Sequence, residues 1–173
     1  MEIIGYKCFN KGLISRYGFK FEVGKTYVSK LPIKFGNEGN GFHLCERIED
    51  TFRYFDALEG SVDICLVKGS GILDEGSDAY YEYYDMYAAE KLEILKLLNR
   101  EEIIKIGLSL NGIRVKRFIQ GFKLDVNEIE LFKNKFQNND DVIATIEYYQ
   151  EKELNAFVKR RGKYYGWNNC KRC

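Results

Sequence analysis

The fold of this chain is decided by one stretch, residues 36–58, which has the sequence GNEGNGFHLCERIEDTFRYFDAL. Its glycines, Gly36, Gly39 and Gly41, permit a positive φ or the close approach of a ligand to the backbone. Residues 42–45 (FHLC) then predict a short strand. Beyond them, apolar residues recur at the spacing of an amphipathic helix: Ile48, Phe52, Phe55 and Leu58. The stretch therefore predicts a loop, a strand and a helix in direct succession.

A ligand site is one interpretation of this unit. The start of a helix offers free backbone N–H groups and a partial positive charge, which suit a phosphate or another anion. The three glycines and Phe42 are then candidate ligand-binding residues, and His43, the single histidine of the chain, is a candidate catalytic residue. A turn that leads into a core helix, with His43 as a half-buried structural side chain, explains the same pattern.

Composition sets the limits of these interpretations. The chain has 173 residues, is 45% hydrophobic and 31% charged, and carries a formal net charge of +1, as expected for an ordinary globular protein. It has no apolar run long enough for a transmembrane helix, so no membrane partner is expected. The N-terminus lacks the features of a signal peptide, and five cysteines without framework spacing favour reduced thiols in a cytoplasm.

The period of the apolar residues changes near Asn99. Before it, residues 2–9 look like a first strand, residues 19–23 alternate at strand period and turn at Gly24 and Lys25 into residues 26–28, and residues 62–67 alternate again. Residues 99–161 instead have helical spacing, with capping residues at Asn99, Asp125 and Asn139 or Asp140. We expect an α+β fold. Residues 1–98 should form a mostly antiparallel sheet packed on one main helix, followed by a helical domain, residues 99–161, and a basic aromatic tail, residues 162–173.

The tail is a second candidate binding surface. The last fifteen residues, KRRGKYYGWNNCKRC, hold six basic residues and no acidic one. Basic side chains interleaved with aromatic rings suit a nucleic acid, through residues Arg160, Arg161, Lys163, Tyr165 and Trp167. A solubilising terminus explains the composition equally well. The pair Cys170 and Cys173 supplies half of a zinc site, and we predict no metal.

Three strings of the chain resemble a family of uncharacterised domains in phage and prophage proteins. They are GYKCFN (residues 5–10), FKFEVGKTY (residues 19–27) and GFHLCERIEDTFRYF (residues 41–55), and the resemblance covers about residues 4–104. More distantly, the chain is similar to the ADP-ribosyltransferase fold. That likeness implies a site for NAD surrounded by Lys7, residues 41–43 and Glu90. Lys7 stands where the fold has Arg or His, and the Ser-Thr-Ser string is absent.

The resemblance also bears on residues 88–98. Their pattern fits either a strand or a helix, and the resemblance favours a strand.

Two function classes stay open. The first is a binding protein of phage or mobile-element type that acts on a host protein or a nucleic acid and needs no cofactor. The alternative is an NAD-using ADP-ribosyltransferase-like enzyme, or its degenerate relative, in which Lys7, His43 and Glu90 line one cleft as catalytic residues.

Overall fold

The architecture is an antiparallel sheet followed by consecutive helices. The computed structural model describes residues 1–30, 32–33, 40–53, 55, 57, 62–76 and 86–152. The strands are β1 (Glu2–Asn10), β2 (Thr26–Val28), β3 (Phe42–Cys45), β4 (Val62–Gly76) and β5 (Met86–Leu97). The helices are α1 (Ile48–Thr51), α2 (Arg100–Ser109), α3 (Gly112–Gly121), α4 (Val126–Lys135) and α5 (Asp140–Ile146), which continues into a π-helical segment, Glu147–Lys152. The predicted α+β class is confirmed.

Four of the strands close into a ring. β4 pairs along β1 from Ser70 opposite Glu2 to Val62 opposite Asn10, and β4 also pairs with β5. β5 in turn pairs with β3, and β3 meets β1 where Cys45 lies opposite Tyr6. The short strand β2 joins β5 further along the edge that β3 uses. All of these pairings are antiparallel. Because β5 pairs with β3 on one side and with β4 on the other, the sheet closes into a small barrel.

The ring encloses one apolar core. Side chains from alternate strand positions fill it, in agreement with the period of two along a strand: Phe9, Leu44, Cys65, Val67, Ala89, Leu92 and Ile94. Leu13 and Phe21, from the segment between β1 and β2, complete this core. Close approach of β1 to β3 depends on Gly5, because a Cβ at that position would lie 2.3 Å from the carbonyl oxygen of Cys45.

A second core lies between the outside of the ring and the helices. Cys8 and Ile64 supply the sheet side, and the helices supply the buried residues Ile103, Ile104, Val115, Phe118, Ile119, Ile129, Phe132, Val142 and Ile146. Phe52 also joins this core, with its ring 5.5 Å from Phe118 and 5.6 Å from Phe122. The packing is continuous across position 98, and the predicted division into domains 1–98 and 99–161 stays a prediction.

The helix boundaries follow the predicted caps. Asn99 accepts a hydrogen bond from the Glu102 N–H at 2.9 Å, and the Glu102 carboxylate accepts the Asn99 N–H in return. Asp125 forms the same reciprocal pair with Glu128. Asn139 rather than Asp140 caps α5. Each cap satisfies N–H groups that the first turn leaves without an intrahelical partner, and this is why these boundaries were predictable.

Two sequence-based expectations need correction. The helix expected within residues 46–58 spans only Ile48–Thr51 among the described residues, so it is a single turn and not the main helix. Thr51 donates its hydroxyl back to the Ile48 carbonyl, and three of the next four residues are aromatic, which weakens helix formation. The alternation at residues 19–23 does not make a strand either, since only Lys20 forms an isolated bridge. The strand favoured for residues 88–98 is confirmed as β5.

Candidate functional site

Lys7 and His43 meet where β1 passes β3. Lys7 lies on the same side of β1 as Phe9, with its Nζ 5.7 Å from the centre of that ring, and it donates a hydrogen bond to the backbone carbonyl of His43. Burial lowers the pKa of Lys7 from 10.5 to about 8. The ammonium group is therefore already hydrogen-bonded within the protein, to a backbone carbonyl. This arrangement does not present it to a phosphate at the surface.

His43 is half-buried and faces Ala88 across the ladder between β3 and β5. Burial lowers the pKa of its imidazole, and the nearby charge of Lys7 lowers it further. The ring is accordingly neutral at pH 7 and suited to exchanging hydrogen bonds. Among the candidate catalytic residues that sequence analysis selected, Lys7 and His43 are in direct contact, through the backbone carbonyl of His43.

Glu90 lies on β5, two residues after Ala88. Its carbonyl accepts the Ser29 N–H at 2.8 Å, which continues the pairing of β2 with β5. Its carboxylate lies against Gly71, where an added Cβ would fall 2.3 Å from Oε2. The structure thus places Glu90 on the strand next to His43, two positions along β5 from Ala88, the residue that pairs with His43.

The predicted ligand-binding residues divide into two groups. Gly41 has a φ of +105°, and an added Cβ would lie 3.0 Å from the Ala89 carbonyl oxygen, so a glycine is required where the chain enters β3. Phe42 packs into the core of the ring. Gly36 and Gly39 lie outside the described residues, as do the tail residues Arg160, Arg161, Lys163, Tyr165 and Trp167 and the pair Cys170 and Cys173.

The single turn α1 carries an ion-pair network that fastens it to α3. Glu49 is fully buried and accepts two hydrogen bonds from the Arg114 guanidinium, through Nε and through Nη2 at 3.4 Å. The carboxylate of Asp50, also fully buried, lies 3.6 Å from Nη1 of Arg117. Buried carboxylates require such partners, because charge is costly to remove from water. We interpret these four residues as structural.

The segment after β1, residues 12–30, which includes β2, forms a lobe with a hairpin tip. The Ser15 N–H donates to the Phe19 carbonyl at 2.7 Å, and the Gly18 N–H donates back to the Ser15 carbonyl at 3.0 Å. Residues 16–18 therefore form the tip. There the Tyr17 side chain is 92% exposed and that of Phe19 is 53% exposed.

Aromatic packing holds one of these exposed rings in place. Phe19 contacts Phe21 and Tyr27 edge-on, with ring centres 4.8 and 5.6 Å apart. Phe21 is itself buried in the core of the ring, where it contacts Phe9 at 5.0 Å. A chain of rings thus runs from the interior of the barrel to the surface of the lobe.

Asp63 of β4 holds the base of the lobe. Its carboxylate accepts hydrogen bonds from the N–H groups of Gly12 (2.8 Å) and Leu13 (3.2 Å) and from the Lys11 ammonium (2.9 Å). Gly12 and Leu13 both have a positive φ, so their successive N–H groups converge on one anion. Burial raises the pKa of the Asp63 carboxyl, but these hydrogen bonds outweigh that effect and the pKa lies below its usual value.

A family model matches residues 3–106, more than half of the chain, and its description is a domain of unknown function, DUF7666. The chain belongs to this family. The DUF7666 region contains all five strands, the lobe and most of α2. No curated protein and no solved structure matches the chain. The DUF7666 match therefore identifies a domain and carries no activity with it.

Two further observations describe the DUF7666 protein as a whole. No helix within the described ranges combines the length and the apolar character needed to cross a bilayer. In the same part of the chain, no group of three or more His, Cys, Asp or Glu side chains is placed to hold a metal ion.

Sequence analysis missed the lobe as a candidate surface. Its sequence from residue 16 to residue 20, RYGFK, places two aromatic residues between two cations, and a mixture of these residue types also marked the C-terminal tail. The glycines of the lobe indicated only a loop. What the sequence did not reveal was that Tyr17 and Phe19 remain exposed while Phe21, two residues later, turns into the core.

Proposed function

We propose that this DUF7666 protein is a binding protein of phage or mobile-element type whose lobe binds single-stranded nucleic acid. One observation carries the proposal: Tyr17 and Phe19 expose their rings at the hairpin tip, and the exposed cations Arg16 and Lys20 flank them. Exposed rings stack on bases, and neighbouring cations neutralise phosphates, without any requirement for a specific base sequence.

Charge supports a polyanion as the ligand. The lobe, residues 12–30, holds four cations (Arg16, Lys20, Lys25 and Lys30) and one acid, Glu22, which gives a net charge of 4 − 1 = +3. The whole chain carries +1, so the remainder carries 1 − 3 = −2. A local positive surface on an otherwise slightly acidic protein directs a nucleic acid to the lobe. Among the partners that sequence analysis left open, it favours a nucleic acid over a host protein.

The lobe is also prepared for binding. Its base is held by Asp63, and the Phe19 ring is fixed by Phe21 and Tyr27. A ring that is already ordered loses little conformational entropy when a base stacks on it. An ordered ring with exposed cations near it suits a ligand whose bases differ while its backbone stays the same.

The cytoplasm is the proposed compartment. Cys8, Cys45 and Cys65 are buried free thiols. Burial raises the pKa of Cys8 and of Cys65 to about 12, which keeps both protonated and unreactive. Buried thiols of this kind fit a reducing environment, where nucleic acid is also available.

The proposal is tested by fluorescence anisotropy with short labelled oligo-dT and oligo-U at low salt. We expect Tyr17→Ala to weaken binding by about 1–3 kcal/mol, as for the loss of one base stack. Lys20→Ala should reduce the slope of log affinity against log salt by about 0.7, because one phosphate contact is lost. Comparison of the two oligonucleotides shows whether DNA or RNA is preferred.

Matched controls come from the helical part of the chain. Tyr148 is also exposed, and Lys105 is an exposed cation on α2, so Tyr148→Ala and Lys105→Ala should leave binding unchanged. If folded wild-type protein does not bind either oligonucleotide at low salt, the nucleic-acid proposal is wrong. An equal loss in the control variants would place the binding surface elsewhere.

A second candidate, the NAD-using ADP-ribosyltransferase-like protein, rests on the neighbouring positions of His43 and Glu90 on β3 and β5. In that case His43 would bond a ribose or a base edge, and Glu90 would orient the other ribose hydroxyl. The bond from Lys7 to the His43 carbonyl weighs against it, since the ammonium is already engaged. A thermal-shift titration with NAD and ADP-ribose tests it, because a ligand at 100 times its dissociation constant adds about 2.7 kcal/mol. The double variant His43→Ala, Glu90→Ala should abolish any shift.

A further inference from the structure

A cavity of about 170 Å³ lies where the end of the barrel meets the helices. Its apolar lining comes from β4, from α2 and from the chain segments next to them: Ala57, Val62, Ile64, Leu98, Ile103 and Phe122. Three charged residues, Lys11, Asp63 and Arg100, complete the lining. The cavity is separate from Tyr17 and Phe19 at the tip of the lobe.

The size and lining of the cavity define the body of a ligand. An apolar cavity of about 150 Å³ lined by aliphatic and aromatic side chains is large enough for benzene. The present cavity exceeds that volume slightly, and its wall combines apolar side chains, of which Ala57, Ile64, Ile103 and Phe122 are buried, with three charged residues. A single aromatic ring or a short branched chain with one small substituent matches this space.

The charged residues define the substituent. Arg100 is held in place because Nε and Nη2 each bond the Glu128 carboxylate at 2.6 Å and Nη2 also donates to the Lys123 carbonyl at 2.8 Å. Within the described residues these bonds occupy Nε and Nη2, so Nη1 is the donor that remains for a ligand. The guanidinium also lies 5.3 Å from the centre of the Phe122 ring. Cation and apolar wall are therefore adjacent.

The charged residues around the cavity supply donors for an anion. Lys11 is paired with Asp63 at 2.9 Å and Arg100 with Glu128 at 2.6 Å, so each cation has one carboxylate partner and the charges are balanced. Nη1 of Arg100 and the Lys11 ammonium, whose side chain is 65% exposed, are the donors among the lining residues that a ligand can use. A carboxylate is the group that a guanidinium edge and an ammonium recognise best, through charge-assisted hydrogen bonds.

We propose that this cavity is a binding site for a small amphipathic monocarboxylate, with an aromatic or branched aliphatic body. The body lies against Ile64, Ile103 and Phe122, and the carboxylate lies between Arg100 and Lys11. The proposal does not depend on nucleic-acid binding, since the exposed rings of the lobe take no part in it.

Calorimetric titration of the full chain with benzoate and with 3-methylbutanoate is the test, and benzyl alcohol serves as a neutral probe of similar shape. We expect saturable binding of one carboxylate per chain and much weaker binding of the alcohol. Lys11→Met should weaken carboxylate binding about fivefold, as for the loss of one partly exposed ion pair. Lys105→Met, at an exposed position on α2, is the matched control and should have no effect.

A cavity-filling variant and a position-specific measurement complete the design. Val62→Phe should remove carboxylate binding while oligonucleotide binding by the lobe is retained. Methyl resonances of Ile64, Leu98 and Ile103 should shift in wild type on addition of benzoate, and those of Ile4 and Ile113, which are exposed elsewhere, should not. Absence of saturable binding at millimolar benzoate, or shifts confined to methyl groups outside the cavity, would overturn the proposal even if Val62→Phe fails to fold.

Discussion

The core inside the strand ring and the core between the ring and the helices differ in how they accommodate charge. The first is built from Phe, Leu, Ile, Val, Ala and Cys side chains, and Lys7 enters it with its amine bonded to a backbone carbonyl. The second includes Glu49 and Asp50, which are fully buried and face Arg114 and Arg117. Burial of the Lys7 ammonium in the ring core therefore costs free energy, whereas the buried charges in the layer outside the ring are paired.

This difference suggests separate roles for the two cores. The ring core is composed of residues that lie within the DUF7666 region, so the domain can build it alone. The outer core joins Cys8 and Ile64 to helices that follow residue 106. Paired charges are costly to bury, but their directional contacts allow fewer orientations of α1 on α3 than apolar packing would.

The sharpest test compares one large side chain from each core. Phe9→Ala should cost about 3–5 kcal/mol in the ring, and Phe52→Ala about 3–5 kcal/mol in the outer core, where its ring contacts Phe118 and Phe122. Because the outer core includes strand residues, we expect a single denaturant transition that both variants shift. Ile113→Ala, at an exposed position, is the control. Two transitions, each sensitive to one variant, would instead support separate domains at residues 1–98 and 99–161.

The ion-pair network should respond less strongly. Arg114→Met leaves the buried Glu49 carboxylate without its partner and should cost about 2–3 kcal/mol, less than the 3–5 kcal/mol of fully buried pairs, because Arg114 is 39% exposed. The double variant Glu49→Leu, Arg114→Met should recover most of this loss. Urea denaturation of the four proteins in this cycle gives the coupling energy. A coupling near zero would mean that the pair does not fasten α1 to α3.

Asp63 should contribute a smaller, pH-dependent amount. Asp63→Asn keeps the shape but removes the charge that three donors share, and we expect a loss of about 1–2 kcal/mol at pH 7. The folded pKa of Asp63 is below the unfolded value of about 3.9, so its contribution is present above that value and disappears as pH falls through the folded pKa. Thermal melts from pH 7 to pH 2 should show wild type and variant converging. If the difference in melting temperature between wild type and variant stays constant with pH, the ionised Asp63 carboxylate is not the source of the stabilisation.

Lys7 should have the smallest net effect at neutral pH, and its pH dependence has the same sign as that of Asp63 but lies in an alkaline range. Lys7→Met removes the hydrogen bond to the His43 carbonyl and also the cost of burying an ammonium group. Because these two effects oppose each other, we expect stability to change by less than about 1.5 kcal/mol at pH 7. The folded pKa of Lys7, about 8, lies below the unfolded value of about 10.4, so its burial costs most below pH 8 and least above pH 10.4. Wild type should therefore gain stability relative to the variant between these values. The variant is essential as a reference, because Cys8 and Cys65, with pKa values raised to about 12, destabilise the fold as pH rises.

The sequence predicted the elements whose determinants are local. Asn99, Asp125 and Asn139 marked helix starts because a cap depends on residues within three positions of it. The period of two at residues 62–67 was likewise sufficient to predict the first part of β4, but its glycines indicated a loop from residue 69, where the strand in fact continues to Gly76. The length of α1 was not predictable from apolar spacing, because the polar residues of this turn, Glu49 and Asp50, are buried through ion pairs with distant residues of α3.

The candidate site was predicted only in part. Lys7 and His43 do meet, but the contact is a bond to a carbonyl, and this depends on the register of β1 against β3, which no local pattern encodes. The exposure of Tyr17 and Phe19 was hidden for a related reason. Alternating aromatic residues have the same appearance in sequence whether they turn into a core, as Phe21 does, or away from it.

The closed ring has a consequence for how the protein is made. β1 is synthesised first, yet its main partner β4 ends at residue 76, and β5, which joins β3 to β4, ends at residue 97. The barrel therefore cannot close during synthesis until residue 97 has left the ribosomal exit tunnel. Before that point β1 and β3 have only the pairing of Tyr6 with Cys45 between them. Until then its strand edges remain open to other chains, and β5 is the element whose arrival removes that exposure.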